Sequence, residues 1–226
     1  IDKNTNLNTS FNIYEDLSKK DSDRYQYVFP GFSFSKNIEI SEDYNGNFKF
    51  TSSGHQKNYE TNKYEAVLNN DFFFNSYDFV SESGIVTNYD MLLKNLNTYS
   101  DNSTNYNGKE DHEFYSTALI KAQYPLKKEL ENSSNHLKPI ISARFSPNNP
   151  KNISGDDVRL DYNTLFSLNR IGRGDTVEGG RSLTIGVEFE KQNLSDEKIF
   201  GFNIGNVIKD KKSSNLPTKS KLDQTR

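Results

Sequence analysis

Along Ser182–Glu190 the apolar residues Leu183, Ile185, Val187 and Phe189 alternate with Ser182, Thr184, Gly186, Glu188 and Glu190. Side chains of an extended chain point to opposite faces in turn, so this stretch predicts a strand with one apolar and one polar face. The same period recurs upstream. Leu137–Ser146 sets Leu137, Ile141, Ala143 and Phe145 against Lys138, Ser142 and Arg144, and Glu113–Leu126 sets Phe114, Ala118, Ile120, Ala122 and Tyr124 against Thr117, Lys121 and Gln123. Ser83–Asn97 places Ile85, Tyr89, Met91 and Leu93 opposite Asn88, Asp90 and Lys94; Thr61–Ser76 places Tyr64, Ala66, Leu68, Phe72 and Phe74 opposite Asn69 and Asp71. Phe48 and Phe50 open a strand that runs to Tyr59, and Lys198–Ile208 alternates Phe200, Phe202, Ile204 and Ile208 with Gly201, Asn203 and Gly205. In Arg24–Asn37 the phase flips at Pro30-Gly31, from Tyr25, Tyr27 and Phe29 to Phe32 and Phe34, which predicts a bulge or bend. Asn4–Leu17 carries a weaker pattern through Leu7, Phe11 and Ile13.

This makes roughly nine strands, many longer than the ~5–6 residues usual in soluble sheets. Crossing a bilayer at a tilt takes about 9–11 residues. The apolar face could form the core of a soluble sandwich, or it could meet lipid while the polar face lines a wet lumen. The connections bear on that choice. Short links at Glu39–Gly46, Tyr77–Glu82, Lys127–Asn135 and Lys191–Glu197 fall at one end of the array, with turns expected at Ser18–Asp23 and Ser41–Asn45. Long loops at Thr98–His112 and Pro147–Gly180 fall at the other end, as in outer-membrane barrels. The Phe72-Phe73-Phe74 triplet suits an aromatic girdle at a membrane interface.

Composition sharpens the picture. Hydrophobic residues make up 32% of the chain, low for a globular core, yet 16 Phe and 13 Tyr are too many for a solvated coil. A wall that needs apolar residues only at every second strand position reconciles the two. No run approaches the ~20 apolar residues of a membrane-spanning helix. The net charge of −3 and the lack of a basic stripe argue against nucleic acid. Cysteine is absent, so there is neither a disulfide framework nor a thiolate site. The expected fold is therefore all-β: an antiparallel transmembrane β-barrel of which residues 1–226 are a fragment, with 147–180 its long loop.

Candidate chemistry is sparse. His55, His112 and His136 are far apart and show no metal-ligand spacing, and Asp156-Asp157 reads more readily as solvated loop charge than as a calcium site. The run GRGDTVEGG lacks a Gly-Lys-Ser/Thr ending and precedes a strand, so it is not a phosphate cradle, and its Arg-Gly-Asp tripeptide is weak evidence for adhesion. Arg159, Asp161, Arg170, Arg173, Asp175, Glu178 and Arg181 can instead satisfy one another in a loop folded over or into a lumen. Arg170 and Asp175 are expected to make intramolecular contacts capping the pore, the alternative being a mobile surface loop. Ser142, Arg144, Thr184 and Glu188 are expected to line a hydrated transport path. Such transport needs no nucleophile, metal or cofactor, and no enzymatic activity is expected.

The succession HLKPIISARFSPNN, then DDVRLDYNTLFSLNRIGRGDTVEGGRSLTIGVEFE, resembles the barrel domain of the LptD (organic solvent tolerance) family of lipopolysaccharide-assembly outer-membrane proteins. The resemblance rests on a Leu-x-Pro strand followed by a loop core of Asp161, Tyr162, Leu165, Phe166, Asn169 and Arg170. A later step at Gly174, Asp175, Thr176 and Val177 follows, with Thr176 where a basic residue is common. RYQYVFPGFSFSKNI also looks like an upstream strand of these barrels. The specific part covers residues 137–190. The resemblance implies a cell outer membrane location, transport of lipopolysaccharide to the outer leaflet, an LptE-like plug lipoprotein, periplasmic bridge proteins that deliver lipopolysaccharide, and contact with outer-membrane lipid. It also implies a periplasmic jelly-roll domain and gate strands outside this stretch. A porin or adhesin-like barrel and a secreted glycan-binding β-protein are the alternatives.

Overall fold

A computed structural model describes residues 3–19, 23–39, 45–103, 105–106 and 108–224. The described residues form an antiparallel all-β sheet of eleven strands. They are β1 (Thr5–Glu15), β2 (Tyr25–Ile38), β3 (Gly46–Tyr59), β4 (Tyr64–Ser76), β5 (Phe79–Val80), β6 (Val86–Asp101), β7 (Lys109–Gln123), β8 (Leu126–Leu130), β9 (Ser133–Ser146), β10 (Gly180–Asn193) and β11 (Lys198–Lys209). The order is β1-β2-β3-β4-β6-β7-β9-β10-β11, with β5 on β6 and β8 on β9. The only helical pieces among the described residues are α1 (Tyr162–Leu165) and a 3-10 turn at Thr218–Ser220. Chain contacts divide the protein into two compact units, Ile1–Phe74 with Leu92–Tyr115, and Asn75–Met91 with Ser116–Arg226.

The nine long strands of the sequence reading are present, and two short ones join them. Most are longer than the alternation suggested. β6 reaches Asp101 and β7 begins at Lys109, so the long loop expected over Thr98–His112 shrinks to the connection between those two residues. The reason is that Thr98 and Ser100 continue the inward parity of Leu92, Lys94 and Leu96 and are buried with them. Lys127–Asn135, expected as a turn, is a hairpin in which Leu126–Leu130 pairs with Ser133–Leu137. Residues 20–22 of the predicted turn at Ser18–Asp23 and residues 41–44 of the predicted turn at Ser41–Asn45 lie outside the described residues.

The phase flip at Pro30 is a break in register. The β2–β3 pairing shifts between Val28 and Gly31, and the β1–β2 pairing shifts between Ser10 and Asn12 on the facing strand. In the aromatic triplet the three rings differ. Phe72 is exposed and lies 4.7 Å from Phe50, whereas Phe74 is buried 4.6 Å from Phe48, so cross-strand ring pairs hold this patch.

The two faces of the sheet are inverted relative to a soluble core. In β9 and β10, Ile141, Phe145 and Ile185 are 46%, 48% and 44% exposed, while Ser142, Arg144 and Thr184 are 2%, 3% and 1% exposed. Register makes this a property of the sheet. Ser142 faces Thr184 and Arg144 faces Ser182 on the buried side; Ile141 faces Ile185 and Ala143 faces Leu183 on the exposed side. Met91, Leu93, Phe114, Ile120, Leu183, Phe200, Phe202 and Ile204 are exposed as well. An exposed single Leu or Ile is ordinary, but rows of them shared between paired strands are not.

Candidate functional site

Ser142, Arg144, Ser146, Ser182, Thr184 and Lys209 are buried because the connection between Ser146 and Gly180 folds down onto this part of β9–β11. Its descent begins at α1. Asp161 caps that single turn: its Oδ1 accepts from the Thr164 amide at 3.0 Å, and Thr164 Oγ1 accepts from the Asp161 amide at 3.2 Å. Both otherwise orphaned amides are thereby satisfied. Tyr162 and Phe166 stack edge to face, 5.6 Å between ring centres.

The turn sits over a recess with a glycine floor. Gly186 on β10 and Gly205 on β11 are register partners. A Cβ on Gly186 would stand 2.7 Å from Phe166 Cζ, and one on Gly205 would stand 2.6 Å from Leu165 Cδ1. Only glycine admits these two side chains so close to the strand backbone.

Beyond α1, Asn169 Nδ2 donates to the Arg173 carbonyl at 2.8 Å and ties the next bend. Arg170 then enters the interior. Its Nε and Nη2 each donate to the Glu178 carboxylate at 2.8 Å, Nη2 also donates to Ser182 Oγ at 2.7 Å, and Nη1 donates to Thr184 Oγ1 at 3.2 Å. From the sheet, Arg144 Nε donates to the Leu168 carbonyl at 2.8 Å and Nη2 to the Glu178 carbonyl at 2.7 Å. Lys209 Nζ forms an ion pair with Glu178 Oε1 at 3.1 Å.

Three buried cations thus surround one buried carboxylate. Burial by itself would raise the Glu178 pKa, but Arg170, Arg144 and Lys209 together outweigh it and hold the carboxyl below its usual range. With one bidentate partner and an ion pair on the other side, Glu178 is the electrostatic centre that joins loop to sheet. Removing one member of a buried ion pair costs about 3–5 kcal/mol, because the others are left uncompensated away from water.

A second layer closes over this. Asp175 receives both nitrogens of Arg173 at 2.8 Å, and Arg173 also reaches Asp156 at 3.1 Å. Burial raises the Asp175 pKa, and Arg173 more than reverses it, so the net shift is downward. The segment after β11 folds onto the loop: Ile153, Ile171, Leu216 and Leu222 form a small apolar core with Leu160 and Val207 packed against it. Its edges are fixed by the Ile153 amide donating to the Asn215 carbonyl at 2.8 Å and by the Lys219–Asp157 ion pair at 2.9 Å.

The loop residues predicted from sequence fall together. Asp161, Tyr162, Leu165 and Phe166 form the seat of α1, Asn169 and Arg170 the passage inward, and Asp175 the second layer. Arg170 and Asp175 both make intramolecular polar contacts. The wall residues differ from expectation: Ser142, Arg144 and Thr184 line no hydrated path, because the loop covers them and uses Arg144 and Thr184 as anchors. Glu188 is half-buried, with Lys138 Nζ 2.5 Å from its Oε2. Burial raises the Tyr162 pKa to about 12, and the neighbouring Glu188 carboxylate adds to the rise.

Three contributors were not singled out from sequence. Lys209 stands outside the motif at the end of β11, and Gly186 with Gly205 were visible only as small residues on polar faces. The signal that could have found them is register, which pairs the two glycines across strands. Among the described residues, no group of His, Cys, Asp or Glu could hold a metal ion, and no helix is long and apolar enough to cross a membrane, which does not bear on strands. No known family model matches the sequence, and no curated protein matches it significantly.

Proposed function

We propose that the chain is part of the wall of an outer-membrane β-barrel of the LptD kind, which carries lipopolysaccharide to the outer leaflet without covalent chemistry. The observation that carries the membrane part is the inversion of the sheet: apolar rows exposed on one face, ionised and hydroxyl side chains buried on the other. In water those rows would drive aggregation; against hydrocarbon they need no cover. Long strands of 11 residues in β1 to 16 in β6 suit a tilted crossing.

The transport part rests on the resemblance, and the site gives that resemblance physical content. Its motif residues are the ones that seat the loop on the polar face, with Leu165 and Phe166 in the glycine recess and Arg170 in the ion cluster. A loop pinned in this way narrows the lumen beside β9–β11 and leaves any glycan path to other parts of the wall. In this reading an LptE-like lipoprotein fills part of the lumen, and periplasmic bridge proteins deliver the cargo.

Depletion of the protein in its host tests the reading. The expected result is loss of lipopolysaccharide from the cell surface with small-solute uptake unchanged. Loss of solute uptake with surface lipopolysaccharide intact would favour a porin-like barrel, and a protein that stays monodisperse without detergent would overturn the membrane assignment.

A further inference from the structure

On the exposed apolar face of β7, β9, β10 and β11 the structure has an open trough of about 830 Å³. Its floor is a transverse row in which Ile120 pairs with Ala143, Ala143 with Leu183 and Leu183 with Ile208. Ala118 and Ala143, the register partners of Phe145 and Leu183, give this lining its short side chains. Polar neighbours are directed elsewhere: Arg144 and Ser182 belong to the ion cluster on the opposite face, and Lys209 pairs there with Glu178.

One cation is available at the rim. Arg181 is exposed, pairs in register with Phe145 and lies over that ring at 5.6 Å. Among the described residues its guanidinium has no carboxylate partner. The nearby acids are occupied: Asp210 Oδ1 accepts from the Arg181 amide at 3.2 Å, and Asp90 accepts from Asn75 Nδ2 at 2.9 Å. An apolar channel of ligand size, ending at an unpaired guanidinium on an aromatic ring, has the polarity of an amphiphile with an anionic head.

We propose that this trough binds an anionic membrane lipid, with an acyl chain against Ala118 and Ala143 and the headgroup phosphate on Arg181. The proposal rests on the apolar face being the lipid-facing side of the wall. It adds a defined lipid position on that side, away from the loop-covered face.

The test uses the full chain reconstituted in phosphatidylcholine bilayers containing a small fraction of spin-labelled phosphatidylglycerol, compared with spin-labelled phosphatidylcholine. Wild type should immobilise the anionic probe in preference by about fivefold, the order expected of one arginine at a membrane surface. Arg181→Gln should abolish the preference, Arg181→Lys should keep most of it, and Ala143→Phe, which fills the trough, should release both probes from the motionally restricted site. Equal retention of the two probes by wild type, or an unchanged preference in Arg181→Gln and Ala143→Phe, overturns the lipid site while leaving the barrel reading intact. Failure of the wild type to enter bilayers overturns both.

Discussion

The strand groups β1–β3 and β9–β11 both present a polar face, yet those faces end in different states. In β1–β3, Asn8, Ser10 and Ser33 stay exposed around an open polar cavity of about 560 Å³ that also touches Gln26, His55 and Lys57. In β9–β11, Ser142, Arg144, Thr184 and Lys209 are sealed, and Arg144 and Lys209 pair with the buried Glu178. Polarity of a face therefore does not decide its hydration here. What decides it is whether a segment with matching charges and a place to land lies next in the chain: the strand after β2 follows a short connection, whereas β9 is followed by the loop that holds Arg170 and Glu178.

Breaking the covered face at its centre should give the largest effect. Glu178→Gln leaves Arg144, Arg170 and Lys209 without their shared counter-charge and should destabilise loop docking by about 3–5 kcal/mol, read as cleavage of residues 147–179 by protease under native conditions. Ile141→Arg probes the opposite face. In a bilayer it should cost about 2–4 kcal/mol near the midplane, measured by reversible unfolding from vesicles, whereas a change of under ~0.5 kcal/mol would mean that this face meets water.

Gly186→Val tests the recess. The new side chain would collide with Phe166 and should cost about 1–3 kcal/mol; the double variant with Phe166→Ala should recover part of it if the collision is the cause. Acid should distinguish the two regions more gently. The folded protein holds Glu178 ionised at pH values where a free glutamate, near 4.5, takes up a proton. Its contribution is complete above that value and is lost as pH falls through the lowered one, so loop protection should persist to below pH 4.5 and then fail, as followed by hydrogen exchange. Ser33→Ala, on the uncovered face of β2, should change stability by less than ~0.5 kcal/mol, the smallest effect of the set.

Much of this was legible in the sequence because period-two alternation is a local property. The apolar rows through Ile141, Phe145, Leu183 and Ile185 could be read directly, and so could the bulge at Pro30-Gly31. Strand ends were less legible: Thr98 and Ser100 offer no apolar signal, and only the structure shows them buried beside Leu96. The loop motif marked Asp161 through Arg170 as belonging together, but its landing place needed register between strands far apart in sequence. The exposed path expected at Ser142, Arg144 and Thr184 was a natural inference from polarity, and it failed because the cover comes from another part of the chain.

The small core shared by Ile153, Ile171, Leu216 and Leu222 imposes an order of events. Half of its side chains come from before β10 and half from after β11, so the lid over the sheet stays incomplete until the polypeptide has been laid down through Leu222. Closure of this lid thus depends as much on the stretch that follows β11 as on the loop itself.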